Sequence, residues 1–101
     1  MRKERESIMT DDMVNCFIHK KYLGVEVKGT ELHHVIHGVA NRKIADQEKC
    51  FCMLCSNCHR LLHDNGYHDK DLQQIAEKAW LEYNNETVED WIQLFGKNFL
   101  N

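Results

Sequence analysis

All seven histidines and all five cysteines of this 101-residue chain fall between Cys16 and His68, and several stand at ligand spacing. Cys16-Phe17-Ile18-His19 and Cys55-Ser56-Asn57-Cys58 each separate two soft ligands by two residues, a spacer that lets both turn back onto one ion. The two pairs together make a closed tetrahedral set of three thiolates and one imidazole, a structural zinc site. Buried apolar packing is the plain alternative for Cys16. Cys50 and Cys52 cannot both join a complete four-ligand site, and Cys52 alternates with Phe51 and Met53 in a strand-like run, so buried packing is the expected role of Cys52. Further on, His59 and His63 lie four apart in a segment that reads as a helix. They therefore share a face and suit two ligands to one ion. His33, His34 and His37 precede this group, and His68 follows it.

Around these residues the composition sets bounds. A single domain of this size buries only a modest core, so a staple is expected, and the odd cysteine count with knuckle spacing favours zinc over disulfides. No apolar run is long enough for a signal peptide or membrane span, which points to a reduced, cytoplasmic protein with no membrane partner. The net charge of −3 argues against a purely electrostatic nucleic-acid binder. Residues 1–68 nevertheless hold ten Lys/Arg against nine Asp/Glu, and residues 69–101 three against seven, so the histidine-bearing part is the less acidic one.

The elements that must position these groups follow from period and punctuation. Residues 1–12 are mostly charged and read as a partly loose segment anchored by Ile8 and Met9, with Arg2, Lys3 and Arg5 as a dilute basic arm. Gly24 to Thr30 alternates apolar and polar, and Glu31 to Ile36 continues in extended-favouring residues, which predicts strand, turn, strand. Gly38 to Glu48 has no clean period and reads as an irregular connection with room for a helical turn. Phe51 to Leu54 is a short strand that pairs with 31–36. Ser56 onward is a helix with Leu61 and Leu62 toward the core, stopped at Asp64-Asn65-Gly66. Asp69 to Asn84 is the clearest helix, with Leu72, Ile75, Ala76, Ala79, Trp80 and Tyr83 in one apolar stripe. Thr87 caps a last short helix that buries Val88, Trp91, Ile92 and Phe95 and ends at Gly96. Both tryptophans read as structural clamps.

A strand ending in His33-His34, a connection, a strand, then a helix opening Leu54-Cys55-Ser56-Asn57-Cys58-His59 resembles the HNH (ββα-metal) endonuclease family in its zinc-knuckle-supported form. That likeness covers residues 16–68. The wider run from Ser7-Ile8-Met9 to Phe95-Gly96-Lys97-Asn98-Phe99-Leu100 is similar to small HNH-like proteins of phages and prophages of Gram-positive bacteria. The resemblance implies an α+β fold: a small ββα-metal core at 13–68, stapled by a zinc knuckle, with the helices of 69–101 packed on it as part of one domain. It implies a metal-dependent enzyme that nicks or cleaves DNA. In that reading His34 matches the general base and His33 and His59 match ligands of a catalytic ion (Mg²⁺, Mn²⁺, Ni²⁺ or Zn²⁺). The third ligand is His63 by helix geometry or His68 by family likeness. The chemistry agrees, because a divalent ion neutralises charge developing on a phosphodiester while an imidazole of ordinary pKa near 6.5 activates water. Arg42, Lys43 and Arg60 are the candidate phosphate contacts. The family's middle Asn, which orients the base, has Cys50 in its neighbourhood here, and Asn41 is the nearest substitute. That departure and the acidic charge keep a second reading open, a degenerate, zinc-stabilised module that binds nucleic acid or a protein partner.

Overall fold

The computed structural model describes residues 6–100, apart from the side chain of Val39. Arg2, Lys3 and Arg5, of the charged segment read as partly loose, lie outside that range. The architecture is α+β, with one two-stranded antiparallel sheet and four α-helices. Strand β1 (Glu31–His34) pairs with β2 (Phe51–Leu54) in a register that sets His33 opposite Cys52 and His34 opposite Phe51. Helix α1 (Val39–Gln47) joins the strands, and α2 (Ser56–Asn65), α3 (Asp69–Asn84) and α4 (Val88–Phe95) follow.

Several boundaries follow from local chemistry. Gly66 ends α2 in the left-handed conformation at φ 72°, which a residue without Cβ adopts at no steric cost. Thr87 and Asp90 form a reciprocal capping box at the start of α4, and Gly96 closes it. The core gathers Val35, Ile36, Leu54, Leu62, Leu72, Trp80 and Trp91 with Cys50 and Cys52. Trp80 meets Trp91 edge to face, and each indole N–H has an acceptor, Glu48 Oε1 and the Lys97 carbonyl respectively. The tryptophans are therefore clamps, as their pattern implies. Burial pushes both the Cys50 and the Cys52 thiols up to about 12, so they are inert packing groups.

Other expectations are corrected. Residues 24–30 form no strand. They make an isolated bridge between Asn15 and Lys28, flanked by Cys16 N–H to the Val27 carbonyl and Gly29 N–H to the Val14 carbonyl, and Thr30 N–H donates to the Leu54 carbonyl of the second strand. Val25 and Val27 stay exposed, so the alternation there has no second layer to bury against. β1 stops at His34, and Val35 and Ile36 enter the core from a bend instead. The 38–48 connection holds a nine-residue helix, not a single turn. Leu61, Ile92 and Tyr83 face solvent while Leu62, Trp91 and Trp80 carry the burial. No described helix is long and apolar enough to cross a membrane.

Candidate metal centres

The first centre is built where a helical turn running into a π-helical segment (His19–Leu23) meets the N-terminus of α2. Cys16, His19, Cys55 and Cys58 converge there. His19 Nδ1 lies 3.3 Å from Cys16 Sγ, 3.6 Å from Cys55 Sγ and 3.4 Å from Cys58 Sγ. Bonds of about 2.3 Å to sulfur and 2.0 Å to nitrogen in a tetrahedron put N and S roughly 3.5 Å apart, so the donor set fits a zinc ion. Burial, more than any neighbour, pushes the Cys58 thiol up. A cation held among three sulfurs and one imidazole would favour the thiolates. Cys55 also caps α2, its sulfur accepting from Cys58 N–H.

The second centre is a histidine cluster on an open cleft of about 540 Å³, lined among others by His33, His34, His37, Arg42, His59 and His63. His33 comes from β1, and His59 and His63 come from one face of α2. The three offer ligand nitrogens within 4.8 Å of one another. His59 Nε2 and His63 Nε2 are 3.1 Å apart, a separation suited to two nitrogens on one ion at about 2.0–2.1 Å each. Glu31, two residues before His33 on β1, meets His59 Nδ1 and so turns Nε2 toward His63. This carboxylate–imidazole arrangement fixes ring and tautomer in metal sites. His33 is 2 % exposed, and its Nε2 is buried without a hydrogen-bond partner among the described residues. Burial first, and then the neighbouring His59, His37 and His63, push its pKa down to about 3, so the ring is neutral at pH 7. A buried neutral imidazole with an orphaned nitrogen is the state a cation requires.

His63, rather than His68, joins this cluster. The His68 ring stacks on Tyr22 at 3.9 Å, and its Nδ1 meets Asp71 at 2.9 Å. At φ 57° His68 also makes the left-handed corner between α2 and α3. His34 faces the same cleft as His33, because β1 ends there and the alternation of an extended strand no longer applies. His34 Nε2 lies 3.0 Å from Asp46 Oδ1, so the side chain that holds this ring comes from Asp46 of α1. Asn41, on the same helix, lies beside Gly38. Arg42 lines the cleft, Lys43 is exposed on α1, and the Arg60 guanidinium donates to Asn57 Oδ1 at 3.2 Å. The sequence reading overlooked Glu31, His37, Asp46 and Asp69. His37 Nε2 lies 2.7 Å from Asp69 Oδ1, and that neighbour, more than any other, raises the His37 pKa. Compared with protein-family models, curated proteins and solved structures, the chain matches none.

Proposed function

We propose that the chain is a metal-dependent endonuclease of the HNH type, hydrolysing DNA phosphodiester bonds. The observation that carries this reading is the cleft itself, where a carboxylate-held imidazole, His34, shares one open surface with three ligand-spaced imidazoles and Arg42. A divalent ion at His33, His59 and His63 would supply neutralisation of the charge that develops on the scissile phosphate.

The rest follows from the chain's own groups. In the tautomer that donates Nε2–H to Asp46, the lone pair of His34 sits on Nδ1, which accepts the proton of a water attacking phosphorus as the bond to the leaving oxygen breaks. Asp46 thus takes the orienting part that the family gives to its middle Asn. Arg42, exposed on the cleft wall, would meet phosphate oxygens of the substrate strand.

The test is nicking of supercoiled plasmid by zinc-loaded protein in Mg²⁺, Mn²⁺ or Ni²⁺. His34→Ala is expected to lose roughly 100- to 10,000-fold in rate while keeping its zinc and melting transition. Undiminished cleavage by that variant removes the assigned base. A fully metallated wild type that cuts no DNA in any of the three ions leaves a zinc-stabilised binding module instead.

A further inference from the structure

The ligand-bearing side chains of the cleft outnumber what a single ion position uses. His33, His59 and His63 form one set with all donor atoms within 4.8 Å, and His33, His37 and Asp69 form another with the same property. The second set draws on three separate places: β1, the bend that follows it, and the first residue of α3. His37 Nε2 and Asp69 Oδ1 are 2.7 Å apart, and the His37 ring centroid lies 5.5 Å from that of His33 and 5.4 Å from that of His63. A further observation points to a ligand at His33, the residue both sets share. His33, common to both sets, is almost wholly buried, and its Nε2 finds no hydrogen-bond partner among the described residues. A buried polar atom left unpaired costs stability unless something binds it.

We propose that His33, His37 and Asp69 form a second cation seat that overlaps the first at His33. Two imidazoles and one carboxylate leave open positions. This donor set suits Zn²⁺, Co²⁺, Ni²⁺ or Fe²⁺, ions of intermediate softness, better than Mg²⁺, which prefers an all-oxygen shell. Asp69 also ties the ion to α3, because it is the helix's first residue. Occupancy of this seat joins the strand that carries His34 to the helix that buries Leu72, Ala76 and Trp80.

The seat rests on the ligand geometry of the cleft, and its test reads metal binding and not cleavage, so its failure is separate from failure of the nuclease reading. Protein with its knuckle filled by zinc is titrated with Co²⁺ and followed by visible absorption and by calorimetry. The double variant His59→Ala/His63→Ala, which dismantles the first seat, is expected still to bind one Co²⁺ beyond the knuckle zinc. Adding Asp69→Asn to that double variant is expected to weaken this Co²⁺ by about 10-fold or more, the loss that follows removal of a group from a metal's ligand shell. His37→Ala in the same background provides a second route to the same loss. A double variant that keeps its fold, judged by an unchanged circular dichroism spectrum, yet binds no Co²⁺ beyond the knuckle overturns the proposal. So does Co²⁺ binding that neither Asp69→Asn nor His37→Ala changes.

Discussion

Cys55 serves two elements with one sulfur atom. It sits among the four converging side chains of the knuckle, and it caps α2 by accepting from Cys58 N–H. Serine preserves a capping oxygen but offers a hard, neutral donor in place of a thiolate, so the cap survives and the soft set does not. Because the free energy of zinc binding at such a site is folding free energy, Cys55→Ser is expected to bind no zinc where the zinc-supplied wild type does, and to lack its cooperative melting transition. Elemental analysis and thermal circular dichroism check this. A variant that melts as the wild type does would show that the knuckle is not what holds the domain. This centre was legible from the residues, since two pairs with equal spacers already define a tetrahedral set. The histidine cluster was legible only in part. His59 and His63 declare themselves by helical spacing, whereas Glu31, Asp46 and Asp69 act across distant parts of the chain, and a lone carboxylate carries no sign of the imidazole it will meet.

At the scale of elements, the loop after the knuckle is held by close approach. A Cβ on Gly29 would come 2.7 Å from Met53 Cβ on β2 and 3.3 Å from the backbone of Asn15. Gly29 N–H also donates to the Val14 carbonyl at 2.8 Å, so the 14–16 segment, the 27–29 segment and β2 meet at this residue. Neither the Met53 Cβ nor the Asn15 backbone can swing away without moving its strand or loop. Gly29→Ala is therefore expected to cost about 1–3 kcal/mol, the usual range for overpacking. Chemical denaturation measures it, and a loss below about 0.5 kcal/mol would mean that the loop yields freely. The sequence brackets the alternating 24–30 run with glycines but carries no sign of the close approach at Gly29. α1 escaped for a related reason. It buries Ala45 and partly Ile44, has no side-chain cap at Gly38, and is followed by Lys49 in the left-handed conformation where a glycine signal is expected. A nine-residue helix with one turn against the core has too little periodicity to read. α3 and α4, by contrast, carry a long stripe and a capping box, and both were found where pattern placed them.

Across the whole molecule, the C-terminal segment is tied to the core through a buried acid. Glu77 of α3 is fully buried, its Oε1 accepts from Phe99 N–H at 2.6 Å, and its Oε2 has no partner among the described residues. Gln74 Nε2 adds a second tie by donating to the Phe99 carbonyl at 2.9 Å, and Trp91 donates to the Lys97 carbonyl beneath it. Burial raises the Glu77 pKa above the ordinary carboxylate value, the bond from Phe99 opposing it only in part. The folded state then holds its proton to higher pH than the unfolded chain does, so this group makes stability fall as pH rises from the unfolded value toward the folded one. Above the folded value the loss is complete and constant. Glutamine keeps the acceptor for Phe99 and removes the charge. Glu77→Gln is expected to gain about 1 kcal/mol at pH 7, the scale of one buried polar group left unsatisfied, and to gain nothing below about pH 3, where the carboxyl is protonated in both states. Urea denaturation of the two proteins at both pH values supplies the difference, and the other titrating groups cancel between them. A variant equal to or weaker than the wild type at pH 7 would mean that Glu77 carries a charge the fold uses, placing a cationic partner beside Oε2.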